Sequence, residues 1–237
     1  MATTDVRALL FDVFGTCVDW RAGIIHAVGA AARRRRIAVD AAVFADAWRA
    51  RYQPSMEVVR SGKRSWTILD VLHRESLDAL LPEFGIEGMD EAERDDLNRA
   101  WHRLDPWPDT VEGLTRLKQR YVISPLSNGN VALLTNMAKR AGMPWDLILS
   151  AETSRAYKPL PAAYLNAAAM LGLEPRQVMM VAAHNSDLQA AQACGLRTAF
   201  VPRPNEHGPK QTTDLAPTGA WDVVAASFVD LAGKLGV

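Results

Sequence analysis

The chain has 237 residues with 27 acidic and 27 basic side chains, so it offers no global field that would recruit nucleic acid or an anionic membrane. Its 49% apolar and 23% charged residues are ordinary for a globular protein, and its two cysteines, Cys17 and Cys194, are too few for a disulfide framework and too distant for a metal knuckle. No apolar stretch approaches the ~20 residues of a membrane span and the N-terminus lacks a charged-then-apolar leader, so a cytoplasmic location is expected.

The first element carries most information. Ala8-Leu9-Leu10-Phe11 is an apolar run closed by Asp12 and then by the turn-forming pair Gly15-Thr16, which predicts a buried central strand. Asp12 then reaches the carboxyl edge of a sheet, where open α/β sheets bind ligands, and a carboxylate there is poorly solvated unless a cation meets it. Asp12 is thus a candidate nucleophile; the alternative is a turn cap that accepts N–H groups of Gly15 or Thr16. Cys17 lies nearby, but no motif supplies it with a base.

After Thr16 the spacing of apolar residues turns helical, over Ala41 to Tyr52, Ser65 to Leu81 and Glu91 to Leu104, with almost no strand signal. Residues 18–105 therefore read as an all-helical unit, ended by Asp105-Pro106-Trp107-Pro108-Asp109, where two prolines exclude continued helix. Within it the run Arg33-Arg34-Arg35-Arg36 reads as a solvated face near a helix end, and Trp48 and Trp66 are the tryptophans that could face a pocket. Beyond the prolines, strand-like runs at Tyr121 to Leu126, Leu147 to Ala151, Val178 to Ala183 and Thr198 to Val201 alternate with helices near Val131 to Ala141, Pro161 to Leu171 and Asp187 to Cys194. Such alternation means a parallel sheet with right-handed crossovers. The expected fold is α/β: a Rossmann-like core of residues 1–17 and 106–237, with a helical cap of residues 18–105 inserted after Asp12.

Three later segments bring polar residues to the same sheet edge. Leu126-Ser127-Asn128-Gly129-Asn130 ends a strand at a helix N-terminus, so Ser127, Asn128 and the following N–H groups form either an anion cradle or a simple helix cap. Arg155-Ala156-Tyr157-Lys158-Pro159 holds a lysine whose ammonium could keep Asp12 ionised. In Val181-Ala182-Ala183-His184-Asn185-Ser186-Asp187, Asp187 sits in a first helical turn, explicable by the helix dipole alone, yet a second carboxylate at that edge suits a two-step hydrolysis.

With FDVFGT, LSNGN, YKP and VAAHNSD in order, the chain resembles the haloacid dehalogenase superfamily over nearly its whole length. Most members of that superfamily are magnesium-dependent phosphatases with a second Asp two residues after the nucleophile and an acidic residue four before the last Asp. Here those positions are Phe14 and Ala183, which supply no side-chain carboxylate to a hard cation. An aromatic at position 14 fits a halide leaving group, which needs no proton, and resembles the 2-haloacid dehalogenases, which use no metal or other cofactor.

That resemblance implies hydrolysis of short 2-haloacids through an Asp12 ester. Phe14, Arg49 of the Trp48-Arg49 pair, Ser127, Asn128, Tyr164 and Asn185 would then face a small-molecule substrate, with Arg49 at the halide and Ser127 and Asn128 at the carboxylate. Thr16 would orient Asp12, Lys158 would keep it charged, and Asp187 would activate water. The chain departs from the family pattern at Ala182-Ala183-His184, where a serine is lost and His184 replaces asparagine; His184 is expected to position the water, share the base duty or cap the helix. Relatives are often dimers, which leaves a homodimer open. The competing readings are a hydrolase of another small carboxylate using the same Asp12 ester, a magnesium-dependent phosphatase, and a non-catalytic anion receptor.

Overall fold

The computed structural model describes residues 5–237; the first four residues, which the expected 1–17 core segment includes, lie outside that description. Strand β1 (Ala8–Phe11) is buried throughout and forms the centre of a six-stranded, all-parallel sheet. Its neighbours are β2 (Val122–Ser127) on one side and β4 (Val178–Ala182) on the other. Two-residue β3 (Leu149–Ser150) lies outside β2 and runs into the single-turn helix α8 (Ala151–Ser154), and β5 (Arg197–Phe200) and β6 (Val223–Val224) follow β4, giving the order β3-β2-β1-β4-β5-β6. The chain leaves β1 in both directions across the sheet, so the switch point where α/β sheets place ligands falls at the end of β1.

Both faces of the sheet are covered, as the uninterrupted apolar strands require. Ala8 and Leu10 face a core that includes Tyr164 and Ala167 of α9 (Pro161–Met170) and Leu188 of α10 (Asn185–Ala193). Leu9 and Phe11 face the opposite core, with Leu114 of α6 (Thr110–Leu117), Leu133 of α7 (Val131–Ala141) and Phe228 of α11 (Phe228–Lys234). Alternation along one strand thus supplies both layers.

Between β1 and α6 stands a helical layer of α1 (Trp20–Arg35), α2 (Ala41–Ala50), α3 (Tyr52–Arg60), α4 (Leu69–Glu83) and α5 (Glu91–Asn98), the last continued by a 3-10 turn over Arg99–Arg103. Asp19, Asp40 and Asp90 cap α1, α2 and α5 by accepting their first N–H groups. Both ends of this layer meet beside the sheet: Val18 bridges Pro106, and Asp19 N–H donates to Asp105 O at 3.0 Å.

Several expected elements shift. The helix expected over Ala41 to Tyr52 is two helices broken at Arg51, and α4 begins at Leu69 rather than Ser65 because Ile68 is extended. Helix α10 opens at Asn185, before Asp187. The four-arginine run ends α1: Arg35 pairs with Glu93 at 2.7 Å, and Arg36 adopts the left-handed conformation that terminates the helix. Trp48 is buried in the helical layer and donates to His73 O, while Trp66 packs on Tyr157 with ring centroids 4.8 Å apart; neither lines the central cavity.

Helix α6 approaches α11 closely at Gly113, where an added Cβ would lie 2.3 Å from Phe228 Cβ and 2.6 Å from its carbonyl carbon. Because the obstacle includes backbone, it cannot swing away. Gly113→Ala is expected to lower stability by about 1–3 kcal/mol, read in urea unfolding as a lower midpoint at unchanged slope.

Candidate active site

A cavity of about 770 Å³ opens between the helical layer and the carboxyl edge of the sheet, lined on the sheet side by Asp12, Asn128, Lys158, Tyr164, His184, Asp187 and Glu206, and on the helical side by Arg49, Tyr52 and Arg60. Lys158 is 8% exposed and its Nζ donates to Asp12 Oδ1 at 2.9 Å and to Asp187 Oδ2 at 2.5 Å. Burial disfavours the charge on Asp12, but the Lys158 ammonium, with His184 and Thr16, holds its carboxyl far below the usual range. Likewise burial opposes the ammonium, and the Asp12 and Asp187 carboxylates raise its pKa regardless. At neutral pH the nucleophile candidate is an anion.

Its orientation is fixed from three sides. Asp12 N–H donates to Val181 O of β4 at 3.0 Å, anchoring the backbone to the neighbouring strand. The Thr16 hydroxyl accepts from Ala183 N–H at 3.0 Å, so its own proton is directed to Asp12 Oδ2 at 2.7 Å. His184 Nδ1 lies 3.1 Å from that same oxygen, which leaves Oδ1 with Lys158 as its partner among the described residues. The Asn128 Oδ1 accepts from Lys158 N–H at 2.8 Å, and Arg60 donates to Lys158 O at 2.9 Å, so both layers hold the lysine loop.

On the opposite wall, Arg49 projects its guanidinium into an aromatic box, 4.1 Å from the Tyr52 ring centroid, 5.1 Å from Trp20 and 5.8 Å from Phe14. Its Nη1 is buried and without a hydrogen-bond partner among the described residues. A half-buried cation with a buried, unpaired donor is a receptor for a small anion.

Three of the expected site residues are engaged by neighbours within the protein. Asn185, expected at the substrate, turns away: its amide donates to Asp214 and Ala216 O and accepts from Thr218 N–H and Trp221 Nε1, pinning the 214–221 loop. Ser127 Oγ accepts from Gly129 N–H at 3.1 Å, and Glu152 takes Val131 N–H at 2.7 Å, so the cradle at the start of α7 is partly filled from within and Asn128 is its pocket-facing member. Asp187, expected to activate water, already accepts from Lys158 on one oxygen and from the Tyr164 hydroxyl, at 2.6 Å, on the other. Cys17 is no nucleophile: burial and Asp12 push its thiol up, and it donates to Asp12 O.

Glu206 was not legible in sequence. It is 1% exposed, accepts from Trp20 Nε1 at 3.0 Å and lies 2.8 Å from His184 Nε2. The only hint is an acidic residue in a turn otherwise rich in Pro, Asn and Gly.

The sheet order, the strand-end carboxylate and the lysine that bridges it to a second acid define a Rossmann-like α/β hydrolase with a helical cap over the site. A sequence model of the haloacid dehalogenase-like hydrolases matches residues 6–195, and the chain belongs to that family. It is 28% identical to (S)-2-haloacid dehalogenase 4A of Burkholderia cepacia, covering 94% of this chain and 98% of that one. Its fold superposes with a TM-score of 0.96 on the crystal structure of a defluorinating L-2-haloacid dehalogenase, at 58% identity over 98% of this chain and 96% of the other. A second L-2-haloacid dehalogenase structure gives a TM-score of 0.94 at 48% identity, covering 97% and 98%.

Lys158→Met leaves two buried carboxylates facing each other, and is expected to cost about 3–5 kcal/mol at neutral pH. Because Asp12 titrates below its unfolded value of about 3.9, the stability it draws from Lys158 is present above that pH and disappears as pH falls through the folded value. Urea midpoints of the two proteins should therefore converge on acidification.

Proposed function

We propose that this protein hydrolyses short (S)-2-haloacids to 2-hydroxy acids and halide through an ester on Asp12. The observation that carries the reading is the opposition, within one cavity, of an ionised strand-end carboxylate and a half-buried guanidinium whose Nη1 has no hydrogen-bond partner among the described residues. The relatives named as (S)- or L-2-haloacid dehalogenases supply the substrate class and its configuration.

Displacement needs an anion behind the carbon and a receptor for the departing anion ahead of it. Asp12 Oδ1 attacks the carbon bearing halogen, the carbon–halogen bond breaks with its electron pair, and configuration inverts. Arg49 receives the halide within the box of Phe14, Trp20 and Tyr52, where the low dielectric strengthens the attraction. Asn128 takes the substrate carboxylate, and the helical layer excludes bulk water until the ester has formed. Tyr164 secures Asp187, which in turn secures Lys158.

The donor set argues against the phosphatase reading. Phe14 and Ala183 carry no side-chain carboxylate for a hard cation at the two positions where the phosphatase pattern has acidic residues.

The test is halide release from fluoro-, chloro- and bromoacetate and from each enantiomer of 2-chloropropionate, with chelator present. Wild-type protein is expected to release halide and prefer the S enantiomer, and Asp12→Asn to lower turnover by at least about 10⁴-fold. Activity confined to phosphate esters and dependent on magnesium would overturn the assignment.

A further inference from the structure

We propose that His184 is the base that hydrolyses the Asp12 ester and that Glu206 is its positioning residue, with formation of the ester itself arming the pair. This rests on the reading of Asp12 as the ester-forming nucleophile.

The geometry is that of an imidazole strung between two carboxylates. Its Nδ1 lies 3.1 Å from Asp12 Oδ2, and its Nε2 lies 2.8 Å from Glu206 Oε2. The other Glu206 oxygen accepts from Trp20 Nε1 at 3.0 Å, with His207 Nε2 at 3.6 Å as a further neighbour, so the carboxylate cannot rotate away. Room for it exists because residue 15 is glycine: a Cβ there would lie 2.1 Å from Glu206 Oε1 and 2.2 Å from its carboxyl carbon. The motif that carries the nucleophile therefore also makes space for Glu206. Asp187 already accepts from Lys158 on one oxygen and from the Tyr164 hydroxyl on the other, whereas His184 Nδ1 faces Asp12 itself.

In the resting protein burial works against a charged imidazole, but Glu206 and Asp12 raise its pKa well above the ordinary value, so the ring is an imidazolium. An imidazolium helps hold Asp12 and cannot act as a base. Alkylation of Asp12 Oδ1 removes one of the two flanking anions. His184, with a fifth of its side chain exposed to the pocket, then gives its Nδ1 proton to solvent, while Glu206 keeps the remaining proton on Nε2.

Water next attacks Asp12 Cγ and passes one proton to Nδ1, which leaves a tetrahedral carbon with its negative charge on Oδ2 beside the Thr16 hydroxyl. Collapse breaks the Cγ–Oδ1 bond. The departing alkoxide takes the second water proton, the hydroxy acid leaves with the former Oδ1, and Asp12 is again a carboxylate beside an imidazolium. One turnover releases one halide and one proton, as the overall hydrolysis requires.

Chloroacetate in excess over enzyme tests this by halide measurement and intact-protein mass. Glu206→Gln is expected to release about one equivalent of chloride per site at a rate near wild type, then stall with a carboxymethyl group on Asp12, its steady-state turnover down about 10²- to 10³-fold. Glu206→Asp should regain part of the ester hydrolysis. The rise of that hydrolysis with pH should also lie about 1 pH unit or more lower in Glu206→Gln than in Glu206→Asp, because the lost anion no longer holds the imidazole proton; a merely structural Glu206 would leave that midpoint unmoved. If Glu206→Gln fails to fold, His184→Asn carries the same burst-and-stall expectation. Ester decay at the wild-type rate in Glu206→Gln, or equal slowing of burst and decay, overturns the proposal and returns the base role to Asp187. Wild-type protein that releases no halide overturns the reading of Asp12 as well.

Discussion

The Lys158 ammonium, bound between Asp12 and Asp187, is the contact around which the site is organised. Three charges removed from water would be prohibitively unstable unless each found its complement, so the surrounding residues are arranged to keep the lysine where it is. Asn128 fixes its backbone from β2, Arg60 its carbonyl from the helical layer, and Tyr164 closes the far side of Asp187. Removing the lysine leaves two buried carboxylates without their counter-ion. The nucleophile is therefore kept ionised by the same contact that fastens its loop to the sheet.

Charge is divided between the layers in a way that suits displacement. The sheet edge supplies the attacking oxygen with its counter-ion already in place, and the helical layer supplies a cation whose Nη1 has no hydrogen-bond partner among the described residues. Arg49 is kept from collapsing onto a carboxylate by its aromatic surroundings, which attract a guanidinium face without saturating its N–H groups. Glu206 lies near enough to lose protons more readily under the influence of His184 and Arg49, although burial pulls the other way. The cavity thus has a negative floor and a positive roof before any ligand enters.

How much of this was legible follows from where each residue sits. Asp12, Lys158 and Asp187 stand beside buried strands or open helices, and the switch from period 2 to helical spacing marks those points plainly. Ser127 and Asn185 stand at equivalent points, yet a polar residue at a helix start reads alike whether it faces a ligand, caps a turn or ties a loop. Glu152 and Glu206 act through contacts whose partners are distant in sequence, and their segments have no periodicity to betray them. Strand β3 falls within the apolar run Leu147 to Ala151 that marks it in sequence, whereas β6, also two residues, is set by pairing with β5 rather than by local preference.

The absent side chain at position 15 links two parts of the chain that no alignment of motifs would join. Enlargement there demands withdrawal of the acid at position 206, and the left-handed backbone at position 15, φ +85°, resists a side chain on its own account. The two positions form one steric unit, so an engineer who alters the first inherits the second.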